Sequence, residues 1–147
     1  MSTATFRHVV SVKGVCLQAS RVLLLRNERD EWELPGGQLE QGEEPAACVA
    51  REVAEETALQ VEVGPCISAW QYHILAGVDV LIVTFGCHLV SDVDPVLSHE
   101  HKEIGRFAER DVSDLPMPDG YKHAIATWYA WERGDVRASD APSARLG

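Results

Sequence analysis

Apolar residues fall into short runs separated by polar or glycine-containing breaks, with two stretches at helical spacing. Phe6–Leu17 (FRHVVSVKGVCL) is rich in β-branched residues and predicts a strand, in which Gly14 marks a bulge or a close backbone approach. Ala19-Ser20 makes a tight connection into Arg21–Arg26 (RVLLLR), the expected hairpin partner. Asn27–Glu31 is a polar loop, and Trp32-Glu33-Leu34 a short extended piece stopped by Pro35. Gly36–Gly42 reads as a loop. The helix after it starts at Glu44 or Pro45, since proline suits a first helical position, and ends near Thr57-Ala58.

Leu59–Val63 then alternates like a strand, which Gly64-Pro65 is expected to break. Cys66–Leu75 is a further extended segment, Ala76-Gly77 a turn, and Val78–Val90 the most apolar strand, so a meander is expected. Ser91–Lys102 is a polar loop long enough to be functional. Glu103–Ala108 reads as a short strand and Asp111–Leu115 as a helical turn. Asp119–Arg133 is a second helix whose Ile125, Trp128 and Tyr129 pack inward. Met1–Thr5 reads as a frayed end and 138–147 as a disordered tail, leaving a single domain over 1–137. Strands, helix, strands, helix is the order of an α/β or α+β domain with helices packed on a mixed sheet.

The first helix has two unlike faces. At roughly 100° per residue, Glu52, Glu55 and Glu56 share an arc of about 100°. Ala46, Val49, Ala50, Val53, Ala54 and Thr57 form an apolar arc expected to pack. Like charges at i,i+4, as in Glu52 and Glu56, cost a helix about 0.2–0.5 kcal/mol unless something neutralises them. A divalent cation would.

Composition narrows the partners. The net charge of -10 argues against a passive electrostatic grip on nucleic acid or an anionic membrane. A phosphorylated small molecule remains compatible if metal ions shield it. No secretory signal or membrane-spanning run is visible, and Cys16, Cys48, Cys66 and Cys87 form no CxxC pair. Buried free thiols in a reducing, cytoplasmic setting are expected.

The acidic helix belongs to a longer pattern. Gly37 is followed five residues on by Glu43, and seven further residues lead to Arg51-Glu52-Val53-Ala54-Glu55-Glu56-Thr57. This stretch, Gly37–Leu59, resembles the box of the Nudix hydrolase family, G-x5-E-x7-R-E-U-x-E-E-x-G-U with U apolar. Every charged position matches. Ala58 stands where the pattern has glycine, so the helix exit either accepts left-handed strain of about 1–2 kcal/mol or takes another course.

The resemblance implies a Nudix-like α/β/α sandwich with a mixed central sheet, and hydrolysis of a nucleoside diphosphate linked to another moiety. It implies Mg²⁺ or Mn²⁺ held by Glu52, Glu55, Glu56 and the Gly37 carbonyl, with Arg51 and Glu43 as an orienting salt bridge. For the general base it leaves a box glutamate or a loop residue, with Glu100 ahead of Glu103 among loop candidates. His99 and His101, an HxH in a polar loop, read as exposed, the alternative being an imidazole ligand or base. Trp32, Tyr72 and Trp70 either stack a nucleobase or pack, and Glu40 is a candidate for supporting the metal through water. A non-catalytic nucleotide-sensing module of the same fold is the alternative function, disfavoured by the intact carboxylates. A prenyl-diphosphate isomerase lacks a recognisable Cys/Glu pair. The partner is thus a small nucleotide, and a homodimer is common in the family.

Overall fold

A computed structural model describes residues 7–135. The frayed end expected at Met1–Thr5, the domain boundary at 137 and the tail over 138–147 lie outside these. The strands are β1 (Val9–Gln18), β2 (Arg21–Arg26), β3 (Trp32–Glu33), β4 (Gly36–Gln38), β5 (Val61–Leu75), β6 (Val78–Leu89) and β7 (Glu103–Ala108). The helices are α1 (Pro45–Thr57) and α2 (Asp119–Glu132), with a 3-10 segment at Glu109–Asp114 before α2.

β1 is the hub. One edge pairs in parallel with β6 from Val9 to Cys16, and β6 pairs antiparallel with β5. The other edge is shared: Ser11–Lys13 pairs with β4, and Leu17 and Gln18 pair with β2 across the Ala19-Ser20 turn. Both turn residues have positive φ, 50° and 65°, as a two-residue hairpin loop between right-twisted strands requires. β2 in turn carries β3 and β7. The parallel β1–β6 pairing replaces the simple meander expected from sequence. Hairpins alone cannot produce it, and the long crossover between these strands includes α1.

Two other expectations are corrected. Gly36–Gln38 is a strand rather than loop, held by β1 despite two glycines. Gly64-Pro65 does not end a strand; the pairing slips between Val63 and Cys66, so β5 bulges and continues.

The alternation along β1 separates two cores. Val12 and Cys16 face α1, where Cys48, Val49, Val53, Leu59 and Cys87 join them. Val15 faces the other layer, with Ile67, Ile82, Tyr121, Ile125, Trp128 and Tyr129. Helices thus cover both faces of a mixed sheet. At Gly14, an added Cβ would lie 3.0 Å from a Val49 methyl carbon, so glycine lets α1 sit down on β1. The inward face of α1 is Cys48, Val49, Val53, Glu56 and Thr57, while Ala46 and Ala54 are exposed. The helix is therefore rotated from the predicted apolar arc, and one glutamate is carried into the interior.

Candidate active site

Glu56 is only 3% exposed. Its Oε1 accepts the Gly36 N–H at 2.8 Å, and its Oε2 lies 3.4 Å from His101 Nδ1. Burial pushes its carboxyl up to about 7, against the opposing pull of the Lys13 charge and the Gly36 hydrogen bond. His101 Nε2 sits 2.9 Å from Glu33 Oε1, so the imidazole spans two carboxylates from different elements. Burial disfavours charge on Glu33, but hydrogen bonding to His101 and Asn27 and the charge of Lys13 outweigh it, holding Glu33 at about 2. Asn27 is itself fixed, its Oδ1 accepting the N–H groups of Arg29 and Glu31.

Arg51 organises the other side of α1. Its Nε and Nη2 donate to the two Glu43 oxygens at 2.7 and 3.0 Å, the forked geometry that suits guanidinium and carboxylate. Its Nη1 reaches Glu52 at 3.1 Å and both Glu55 oxygens at 3.3 Å. Glu40, the candidate for supporting the metal through water, pairs with Arg51 at 3.5 Å. The Arg51 hydrogen bonds hold Glu43 down at about 2. Glu52 is raised by burial, with Arg51 opposing and Glu55 and Glu100 adding like charge.

Gly37 explains its own identity. A Cβ there would lie 2.6 Å from the Glu52 carboxyl carbon, so the β4 backbone and this carboxylate are in contact. Among the described residues no three His, Cys, Asp or Glu side chains converge to ligate one ion in this arrangement. Arg51 engages Glu52 and Glu55, and Glu56 turns inward. The oxygens that would serve a hard cation are nevertheless gathered on one edge of α1 and β4.

Beside this acidic edge lies a cavity of about 240 Å³, lined among others by Lys13, Glu33, Gln38, Tyr72, Ile82 and Tyr121. Tyr72 is thus placed where a base could stack. Trp32, the other substrate candidate, does not line this cavity: it is buried in the core, edge-on to Phe107 at 4.8 Å. Trp70 stacks on Tyr72 at 5.4 Å and packs against Tyr121 rather than lining the cavity. A larger hollow of about 660 Å³ near the β1–β2 turn shares no residue with α1.

Of the loop candidates, Glu100 is exposed and close enough to Glu52 to raise it. Glu103 belongs to β7, 3.4 Å from Arg26. His101 corrects the expectation of an exposed pair, for its side chain is 8% exposed. Sequence spacing could not find it, because the partners Glu33 and Glu56 come from distant elements. Lys13 left a signal: it stands on the face of β1 that Val15 fills with an apolar side chain.

The NUDIX domain family model matches residues 6–131. A MutT-like protein of Streptomyces ambofaciens is 52% identical over 58 residues, 38% of each chain. The chain spans 38% and 30% of the lengths of the curated relatives it matches in S. ambofaciens and Bacillus subtilis (strain 168). An Ap4A hydrolase of C. elegans shares the fold with a TM-score of 0.76 at 20% identity, covering 86% of this chain and 98% of that one. The MutT protein of Methanosarcina mazei Go1 gives 0.74 at 23% identity, covering 89% and 99%. With the family model spanning nearly all of the described residues and Gly37–Leu59 seated as β4 and an acidic helix, the chain belongs to the Nudix family.

Proposed function

We propose that the chain is a metal-dependent pyrophosphohydrolase. Its substrate is a nucleoside diphosphate linked to another moiety: a nucleoside triphosphate, oxidised forms included, or an ADP-ribose-like sugar nucleotide. One observation carries this reading. Arg51 and the β4 backbone fix Glu52, Glu55 and Glu56 beside a tyrosine-walled cavity of base-like size. The name of the C. elegans neighbour, Ap4A hydrolase, agrees with hydrolysis of a nucleotide.

The donor set suits Mg²⁺ or Mn²⁺, being carboxylate oxygen with backbone carbonyl and no thiolate. Glu52, Glu55, Glu56 and the Gly37 carbonyl would hold the ion. When bound, it neutralises pyrophosphate oxygens and makes water more acidic. The chain's own residues do the rest. Arg51, clamped by Glu43, orients Glu52 and Glu55, and Gly36 orients Glu56. Glu100, solvated on its loop opposite Glu52, accepts the proton of the attacking water. The cavity receives the base and so sets which phosphorus lies over α1.

The test is a panel of nucleoside triphosphates, ADP-ribose and dinucleoside polyphosphates with and without Mg²⁺, with products identified after reaction in ¹⁸O water. Mg²⁺-dependent release of a nucleotide with one labelled phosphate is expected. Absence of turnover across the panel, with tight binding of one member, would replace hydrolysis with sensing.

A further inference from the structure

Lys13 is the unexplained charge in this molecule. It is 6% exposed, yet among the described residues its ammonium makes no hydrogen bond or close ion pair; the Tyr121 ring lies 5.9 Å from Nζ to the centroid, and the carboxylates of Glu33, Glu56 and Glu52 act on it from further away. Burying an unpaired ammonium is expensive, and a folded chain keeps one where something else completes it. Its stem lies along Gly36, the residue whose N–H holds Glu56, because Lys13 and Gly36 are register partners of β1 and β4. Lys13 lines the cavity with Tyr72, Tyr121, Ile74, Val80 and Ile82, and its Nζ lies on the Tyr121 side. Burial disfavours its charge, but Tyr121 and the carboxylates of Glu33, Glu56 and Glu52 more than offset this and keep it protonated.

The cavity, about 240 Å³, is smaller than the roughly 300 Å³ at which drug-sized sites begin, so it accepts one ring system and not a whole nucleotide. Aromatic and branched aliphatic side chains form much of its wall, as a flat base requires, while Ser11, Arg29, Glu33 and Gln38 add polar groups beside Lys13. Of these, Glu33 already has both oxygens engaged, by His101 and Asn27. Glu52 and Glu55 do not line it, so the phosphates stay outside. An ammonium only donates. A base entering with an exocyclic carbonyl toward Lys13 gains a charge-assisted hydrogen bond, whereas an exocyclic amino group meets it donor to donor.

From this placement we infer that Lys13 is a specificity-determining residue that donates to the carbonyl oxygen at the purine 6 or pyrimidine 4 position of the substrate's base, where adenine and cytosine carry amino groups. The chain thereby favours keto bases, guanine and uracil, over the amino bases adenine and cytosine. The inference rests on the hydrolase reading for calling the ligand a substrate, and its test does not.

Binding of GDP, UDP, ADP and CDP is measured by calorimetry in EDTA, so that no turnover is needed. Wild type is expected to bind GDP and UDP about 10-fold tighter than ADP and CDP, the scale of one hydrogen bond to a charged group. Lys13→Met is expected to weaken GDP and UDP alone and bring the four within about twofold. A thermal melt at or above the wild-type midpoint shows that this variant folds, since methionine suits the apolar wall. Equal weakening of all four nucleotides would place Lys13 on the phosphates and overturn the inference. No wild-type preference, or unchanged binding in Lys13→Met, would overturn it too. If the preference is found and the hydrolysis panel is silent, the base site stands and the hydrolase reading falls.

Discussion

His101 and Glu56, 45 positions apart in sequence, meet at 3.4 Å between Nδ1 and Oε2, both nearly out of solvent. The contact ties the β6–β7 loop to the acidic helix, and although Nδ1 makes no hydrogen bond it sets Glu56, His101 and Glu33 in one electrostatically coupled group. Its pH signature has a definite sign. Glu56 is raised from 4.5 to about 7, so the folded chain keeps a proton that the unfolded chain releases across that window. Stability therefore falls as pH rises from about 4.5 to about 7. His101, raised chiefly by its bond with Glu33, adds stability that is full below its unfolded value of 6.5 and is lost above its folded one. Glu33, held at about 2, has the opposite sign: its contribution is full above about 4.5 and is lost as pH falls from there toward 2. Urea midpoints in EDTA should decline from pH 5 to pH 8. Glu56→Gln, which keeps an acceptor for Gly36, should flatten the lower half of that decline. A flat wild-type profile would show that the three groups are not coupled as the geometry requires.

Removing the carboxylates' charge tests the chemistry directly. Glu55→Gln or Glu56→Gln should lower kcat by at least about 10², the usual scale for positioned acid, base and electrostatic groups. Glu100→Gln should fall in the same range if Glu100 takes the water proton. Steady-state kinetics against saturating substrate and Mg²⁺ reads all three. Near-normal turnover in both Glu55→Gln and Glu56→Gln would dismiss the metal assignment.

Arg51 touches four carboxylates, and the forked contact with Glu43 sets its plane. Lysine can supply the charge without the fork. Arg51→Lys should raise the Mg²⁺ concentration for half-maximal rate by about 10-fold or more, as losing an outer-shell partner does at metal sites. Circular dichroism should remain native, because the side chain lies at the surface end of its network. An unchanged Mg²⁺ dependence would mean that Arg51 serves the helix and not its ligands.

The sequence announced the acidic helix because helical geometry makes Glu52, Glu55 and Glu56 neighbours by spacing alone. The pairing of β2 with β7 and of β1 with β6 was not legible, since register between distant strands depends on both faces being buried. The same limit hid His101. Its polar neighbourhood, SHEHKE, reads as solvent, and only the approach of Glu33 from β3 makes it an interior residue. Gly36–Gln38 reads as loop in sequence because glycines carry little strand preference. Its strand state comes from β1, and from Gly36 at φ 149°, where an added Cβ would lie 2.0 Å from the Val12 carbonyl oxygen.

Ala58 does accept the left-handed exit. Its φ is 62° and ψ 11°, with its N–H donated to Ala54 at 2.9 Å, so alanine occupies the conformation that glycine would take more cheaply. Thr57 reinforces the exit, its Oγ1 donating to the Val53 carbonyl and accepting the Leu59 N–H. Ala58→Gly should stabilise the chain by about 1 kcal/mol, the left-handed penalty less the extra freedom glycine gives the unfolded chain. The urea midpoint should rise at constant slope, with kcat within a few-fold of wild type. A gain of orders of magnitude in activity would show that this exit also governs catalysis.

The loop that carries Glu100 is anchored at both ends, and the anchors make a final prediction. Near its start, Gln18, 5% exposed, donates to Asp92 at 3.0 Å and the Val93 carbonyl at 2.7 Å while accepting from Arg106 at 2.9 Å. Val96 donates to the Thr57 carbonyl at the end of α1, and Lys102 to the Arg26 carbonyl beyond His101. Between them, Ser98–Glu100 takes part in none of these bonds. Gln18→Leu would leave three polar groups without their partner, at a cost of about 1–3 kcal/mol if one of them stays dry. Its effect on catalysis should be selective. Hydrogen exchange should quicken over residues 92–100, and kcat should fall several-fold with KM little changed, because Gln18 positions the base and touches no substrate. The deficit should shrink when Glu100→Gln is added, since a loop without its base has less to lose from misplacement. Full additivity of the two substitutions would separate the anchor from the base and leave Gln18 a role in stability alone.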